Sequence, residues 1–462
     1  MSYDRDGTTA VADMDDPTYR TMRSRDDTHA LVASRAVLVL LFGPLDERTF
    51  SVRFWNGVVD IPTSRTPRFT MVLQTPDALR RMLWPPSELR LAEAFVRGDF
   101  DVEGDLEAAT GLADTVYARI ATPRAIVRLR HAMHHIPHDS IAHSHAQRRT
   151  PHSSAPVHSV ERDREAVRAH YDVGNDFYQL WLDQRMVYSC AYFKTDDDDL
   201  DTAQVNKLEH LCRKLRLAAG ERLLDVGCGW GGLIRYAVKQ FGVTAVGITL
   251  SDRQADLARA RIQQEGLSDR CEVRTVDYRA LPTTERFDKI VSVGMVEHVG
   301  RTRLSEYFTD LFRLLVPGGL FVNHGIVRAP EHGHLGPLRR LGRRLWREGE
   351  FIDKYVFPDG ELVPLAEMID HGERAGFEAR DAEMLREHYM RTLRFWVSRL
   401  ERARETAVSM VGEQTYRIWR LYMAASAHGF ASGRLNLSQV VFAKPSASGE
   451  VALPLTRADL YR

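Results

Sequence analysis

The sequence predicts a doubly wound α/β domain with a mostly parallel sheet, preceded by a smaller α+β domain. Three observations carry that expectation. From Glu161 onward, short and strongly apolar runs alternate with helical stretches, the pattern of a parallel sheet covered on both faces. The 462 residues exceed what one hydrophobic core usually supports, so two domains are expected. The stretch 131–158, "HAMHHIPHDSIAHSHAQRRTPHSSAPVH", holds eight histidines among Pro and Ser and has the composition of a linker between them.

Along the chain, residues 1–30 are charged and short of large apolar side chains, and read as a disordered tail. Between Ala36 and Pro76 the runs "AVLVLLFG", "SVRFWNGVVDIP" and "RFTMVLQTP" are of β type and are separated by turn residues. "ELRLAEAFVRGDFDVEGDLEAATGLADTVYARI" then turns helical, interrupted at Gly98 and Gly104. Residues 31–130 are therefore expected to form the small domain, 131–160 the linker, 161–445 the doubly wound domain and 446–462 a tail. In the larger domain the strand candidates are "RLLDVG", "VTAVGIT", "CEVRTVDY", "FDKIVSVG" and "GGLFVNHGIV". A sheet of this kind binds ligands beyond the carboxyl ends of its strands.

Composition excludes several partners. Lys+Arg and Asp+Glu balance at 63 each, which removes the global electrostatic case for nucleic acid. The polar, acidic start lacks the order of a signal peptide, and the longest apolar run near it is far short of the ~20 residues that span a bilayer, so a cytoplasmic protein is expected. Cys190, Cys212, Cys228 and Cys271 share no metal-ligand spacing, which fits reduced thiols; no metal site is expected, since no fixed i,i+4 pair with an acidic partner accompanies the linker histidines.

"LLDVGCGWGGL", residues 223–233, places Asp225 at the end of a buried strand and Gly227, Gly229, Gly231 and Gly232 in the turn that follows. Glycines let a backbone take positive φ and approach a ligand closely. The next strand ends in Thr249, where an NAD-binding fold usually has an acid, and an Asp stands instead after the third strand, at Asp277. This loop with these neighbours, and "LLVPGGLF" at 314–321, resembles the class I S-adenosylmethionine-dependent methyltransferase fold. A Rossmann-like dehydrogenase is the alternative. Ahead of the loop, residues 169–193, "AHYDVGNDFYQLWLDQRMVYSCAYF", carry seven aromatic side chains with no clean helical or strand period.

That segment, together with "LLDVGCGWGGL", "VGITLSDRQ", "DYRAL", "IVSVGMVEHVG" and "KYVFPDGEL", resembles the cyclopropane-fatty-acyl-phospholipid synthases and their mycolic-acid relatives. The resemblance implies a seven-stranded class I methyltransferase sheet and a methyl or methylene transfer from S-adenosylmethionine to the cis double bond of phospholipid acyl chains. It implies that Tyr188 and Ser189 close over the cofactor's methionine part, and that Gly227 and Gly229 underlie it. Thr249 and Gln254 would approach the ribose and Tyr278 with Arg279 flank the adenine, while Asp225, Gly231, Leu250 and Asp277 are also expected to bind the cofactor. It implies a bound bicarbonate as base, held by Cys190, Glu297, His298, His324, Ile326 and Tyr389. Taken singly, Cys190, Tyr389 and His324 would be ordinary buried residues. Aromatic faces such as Tyr171, Phe177, Tyr192 and Phe193 suit the positive charge that methyl transfer leaves on the chain. Where many relatives carry a cysteine before the last strand this chain has Ser426, so no covalent nucleophile is assigned.

Between "NHGIVRAP" and "KYVFPDG" lies a longer connection in which Leu338, Leu341, Leu345 and Trp346 share one helical side, with Arg339, Arg340, Arg343, Arg344 and Arg347 around it. A basic amphipathic helix of this kind suits a bilayer interface, while a helix packed on its own domain is the plainer alternative. The expected placement is therefore cytoplasmic, peripherally on the inner face of the membrane. The product alternatives are a cyclopropane ring or a methylene or methyl-branched chain, the last needing a separate reductase. A homodimer is left open.

Overall fold

The computed structural model describes residues 17–120, 122–138, 155–171, 173–329 and 349–461. They divide into two compact units, with the boundary at 145/146. The arginine-rich 338–347 segment and most of the histidine-rich stretch lie outside the described residues.

The first unit opens with helix α1 (Pro17–Phe42), followed by strands β1 (Phe50–Arg53), β2 (Val59–Asp60) and β3 (Phe69–Leu73), helices α2 (Ala78–Leu83) and α3 (Glu88–Arg97), strand β4 (Phe100–Gly104), and helices α4 (Leu106–Thr110), α5 (Leu112–Ile120) and α6 (Pro123–His134). Its four strands lie in the order β2-β1-β3-β4, with β1 and β3 parallel and the outer pairs antiparallel. Three expectations are corrected here. The run from Ala36, expected as a strand, is the end of α1, because Ala30, Ala33, Val37, Leu38 and Leu41 recur at helical spacing and are buried on one face. Residues 17–30, expected in the tail, belong to the same helix, and Asp27 accepts a hydrogen bond from Trp55 Nε1 at 3.3 Å. The stretch assigned to the linker likewise begins inside α6, which Thr122 caps by accepting from the Ala125 N–H at 3.3 Å.

The second unit is the doubly wound domain. Helices α7 (Val160–Tyr171), α8 (Asn175–Gln179) and α9 (Leu200–Lys214) precede β5 (Arg222–Val226), α10 (Gly232–Phe241), β6 (Thr244–Thr249), α11 (Asp252–Gln264), β7 (Cys271–Thr275) and β8 (Phe287–Val293). There follow α12 (Val296–Val299), α13 (Leu304–Leu314), β9 (Leu315–Arg328), α14 (Glu350–Tyr355), α15 (Leu365–Arg374), β10 (Glu378–Met384), α16 (Arg386–Arg402), α17 (Arg404–Ala431) and β11 (Leu435–Ala443). The seven strands run β10-β11-β9-β8-β5-β6-β7. Pairing is parallel from β7 through β9, and β11 is antiparallel to both β9 and β10. Successive residues point to opposite faces: Leu223 and Val291 pack on one side of the sheet, Leu224 and Ile290 on the other. This is why the central strands read as continuous apolar runs. The polar "EARDAEM" of β10 gave no such signal, since an edge strand with exposed residues needs none.

The chain's last residues, expected as a tail, pack on this unit: Leu460 is buried, and Arg216 pairs with Asp459 at 3.0 Å. The four cysteines are free and buried. Among the described residues no helix is long and apolar enough to cross a membrane.

The strand order reverses at β5, which pairs with β6 on one side and β8 on the other. The glycine loop leaves the sheet at this point and folds back on β6, with the N–H groups of Gly227 and Cys228 donating to Ile248 O at 3.0 and 2.9 Å. Gly247 makes that approach possible. A Cβ there would stand 2.7 Å from Cys228 Cβ and 2.8 Å from Ile234 Cδ1. Gly247→Ala is therefore expected to lower the unfolding free energy by about 1–3 kcal/mol, read from the urea midpoint at unchanged m-value.

Candidate active site

A pocket opens at the carboxyl ends of β5, β6, β7 and β8. It is lined by Tyr188, Ser189, Asp225, Gly227, Gly229, Thr249, Leu250, Gln254, Asp277, Tyr278 and His298 among the residues expected from the sequence. It also takes in Tyr171, Lys207, Trp230 and Met295, which were not expected as cofactor residues. Gly227 and Gly229 hold φ of 85° and 54°, so the loop takes a path that side chains with a Cβ resist. Trp230 Nε1 donates to Asn175 Oδ1 at 2.8 Å, which ties the loop to α8.

Thr249 Oγ1 donates to Gln254 Oε1 at 2.8 Å, and Ser251 caps α11 by accepting from the Gln254 N–H at 3.3 Å. These bonds hold the far wall. Gly231 and Arg279 sit behind the lining. Gly231 begins α10 at φ 73°. Arg279 binds Asp277 at 2.7 Å and Asp163 at 2.8 Å, and reaches the His158 carbonyl at 3.2 Å, so it anchors α7 to the turn after β7. Asp225 Oδ1 is buried without a partner, and burial pushes its carboxyl upward.

The aromatic segment forms a box over this pocket. Tyr171, Tyr178, Trp181 and Tyr188 pack with Trp230, Trp396 and Trp419 at centroid distances between 5.1 and 6.3 Å along their contacts. Phe177 joins through Trp181 and Trp419. Tyr192 and Phe193 do not. Tyr192 is stacked between His210 and His388, and Phe193 packs on Phe395 and His388, because the chain at Cys190 turns toward α16. The tryptophans of α16 and α17 were missed because they are far away in sequence.

Beside the box lie the residues expected to hold an anion. Gly294, at φ 66°, ends β8 and donates to His324 O at 2.8 Å, so α12 starts against β9. Glu297 Oε1 accepts from the Ile326 N–H at 2.7 Å, while its Oε2 is buried with no partner. His324 accepts at Nδ1 from Gln439 Nε2 at 3.0 Å, leaving Nε2 buried and unpartnered. Glu297 lies within electrostatic reach of Tyr171, Tyr389 and Tyr422, and Tyr389 within reach of Cys190. Burial pushes Glu297 up to about 7, against the pull of the Ile326 bond, and pushes His298 down to about 4. Burial raises the Cys190 thiol, so it is not a thiolate; its Sγ lies 3.2 Å from Ala191 O. Ser426 is buried in α17.

Residues 158–440 match the family model described as mycolic acid cyclopropane synthetase. A probable fatty acid methyltransferase of Pseudomonas putida is 42% identical over 411 residues, 89% of this chain and 96% of that one. The cyclopropane-fatty-acyl-phospholipid synthase of Escherichia coli K12 is 37% identical over 282 residues, 61% of this chain and 68% of its own. The crystal structure of mycolic acid cyclopropane synthase CmaA1 complexed with SAH and CTAB superposes with a TM-score of 0.56 at 32% identity, covering 60% of this chain and 97% of that one.

Two outcomes follow from this geometry. Glu297 has a higher pKa folded than its ordinary 4.5, so its contribution favours folding at acid pH and is lost as pH rises through about 7. Glu297→Gln is therefore expected to be more stable than wild type at pH 8 by about 1–3 kcal/mol, and nearly equal at about pH 4, below the ordinary carboxyl value, by urea unfolding. Gly229→Val forces a β-branched residue to φ 54° although no protein atom lies within 4 Å of the new Cβ. It is expected to fold but to lose S-adenosylhomocysteine binding in calorimetry.

Proposed function

The chain belongs to the mycolic acid cyclopropane synthetase family and is an S-adenosylmethionine-dependent methyltransferase, and from that premise we infer that it converts cis double bonds of phospholipid acyl chains to cyclopropane rings with bicarbonate as base. The observation that carries the finer reading is the pair of buried, unpartnered atoms, Glu297 Oε2 and His324 Nε2, beside an aromatic-walled pocket.

The pocket residues fit the cofactor by their chemistry. Asp225 brings a carboxylate oxygen without a partner, and the glycine loop brings backbone free of side chains. When bound there, S-adenosylmethionine supplies an electrophilic methyl carbon. The chain's own residues do the rest. A carbon–carbon double bond is a weak nucleophile, so the box must hold it close and keep water out. Tyr171, Tyr188 and Trp230 line the pocket, and aromatic rings favour positive charge on an acyl chain without attacking it. Glu297 and His324, with the Ile326 N–H fixing the carboxylate, are the groups that would hold a small anion; Tyr389 and Cys190 close the same region. When bound there, bicarbonate supplies a base small enough to reach a proton of the new methyl group. His298, held neutral by burial, lies where the two regions meet. A phospholipid substrate places the working enzyme at a membrane surface, and the basic 338–347 sequence is the segment proposed to meet it.

The test uses the full chain with vesicles of cis-unsaturated phospholipid and methyl-labelled cofactor. Ring protons in the proton NMR spectrum of the extracted lipid, with a rate that rises with added bicarbonate, are expected. Vinylidene protons, label on a headgroup amine, or indifference to bicarbonate would overturn the corresponding part. Glu297→Gln is expected to lower ring formation about 100-fold or more, with S-adenosylhomocysteine affinity retained. Full activity would remove Glu297 from the reaction.

A further inference from the structure

One buried charge in the pocket wall has no role in the chemistry above. Lys207, on α9, is 2% exposed and lines the pocket. Its Nζ donates to Ser189 Oγ at 2.8 Å. An ammonium carries three donors, and among the described residues no carboxylate pairs with this one. Asp183 and Asp225 act on it only from a distance. Asp183 is already engaged, accepting from the N–H groups of Val187 at 2.7 Å and Arg185 at 3.0 Å. Burial lowers Lys207 to about 8. A desolvated ammonium with one neutral acceptor is costly unless an anion meets it.

The charged side chains lining the pocket besides Lys207 are Asp225 and Asp277, and His298 is kept neutral. Lys207 is thus the cation of the described lining. S-adenosylmethionine has a sulfonium, an ammonium and one anion, the α-carboxylate of its methionine part. We propose that Lys207, with Ser189 beside it, binds the α-carboxylate of the cofactor, while Asp225 faces the α-ammonium through its unpartnered Oδ1. The proposal rests on the cofactor reading of this pocket. A rival use of the same charge is to hold the anion at Glu297 and His324, since His324 and Cys190 both feel Lys207. Geometry favours the cofactor: Lys207 and its acceptor Ser189 both line the pocket, and neither Glu297 nor His324 does.

The experiment compares two ligands by calorimetry, S-adenosylhomocysteine and its decarboxylated analogue. Wild type is expected to prefer the carboxylated ligand by about 30-fold or more, the usual size for a buried charge pair. Lys207→Met should lose that preference by weakening S-adenosylhomocysteine alone, with the analogue's affinity unchanged within about threefold. Equal weakening of both ligands would show a structural role. Unchanged binding with a higher bicarbonate requirement for turnover would assign Lys207 to the anion instead. Either result overturns the proposal. Wild type binding neither ligand would overturn the cofactor reading beneath it. Should Lys207→Met not fold, the wild-type preference measured from pH 7 to 9 serves in its place. It should shrink about tenfold as the free ammonium deprotonates, and a constant preference would sink the idea.

Discussion

Everything in the larger unit hangs on burying both faces of one strand. β5 is flanked by β6 and β8 and covered above and below, so its end cannot drift relative to the sheet. The chain leaving it must turn within a few residues, and it does so where the strand order reverses. Asp225, the glycine loop and the capped start of α11 occupy neighbouring strand ends for that reason. The same logic puts Glu297 after β8 and His324 on β9. The fold does not recognise a ligand; it fixes the rim on which recognition residues stand.

The rim concentrates desolvation. Asp225 and Glu297 are pushed toward protonation, and His298 and Lys207 are pushed toward their neutral forms, all with burial as the leading cause. A site built this way holds its charges at a cost that ligand groups of opposite sign relieve. That suits a reaction in which a hydrocarbon meets a cation, because ordered water around permanent charges would compete for the positive centre.

Legibility in the sequence followed the range of each signal. The central parallel strands were readable because burial on both faces leaves uninterrupted apolar runs, the edge strand β7 because its apolar residues alternate with polar ones, and the glycine loop because its backbone demands are local. α1 was misread where "AVLVLLFG" looked like a strand, since a short apolar run shows no period unless Ala30 and Ala33 are counted with it. Residues joined only by the fold were the hardest to see. Trp396 and Trp419 meet Trp181 across more than two hundred residues. Lys207 did leave a local trace: it continues the buried spacing of Leu200, Ala203 and Gln204 on α9, where a charged residue is out of place. The residues expected to hold an anion were legible only as a resemblance, because they come from four separate elements; among them only Glu297 and His324 keep a buried atom without a partner.

The aromatic box has an optical side. The chain has seven tryptophans, and Trp181, Trp230, Trp396 and Trp419 are gathered with Tyr171, Tyr178 and Tyr188 into one buried group. Excitation absorbed by one ring passes readily to its neighbours at such separations, so emission from these indoles is collective. One of these indoles, Trp230, lines the pocket, so the collective emission is coupled to the site through it. Whatever enters between those rings changes the colour and yield of that light, and the protein carries its own gauge of occupancy without any added dye.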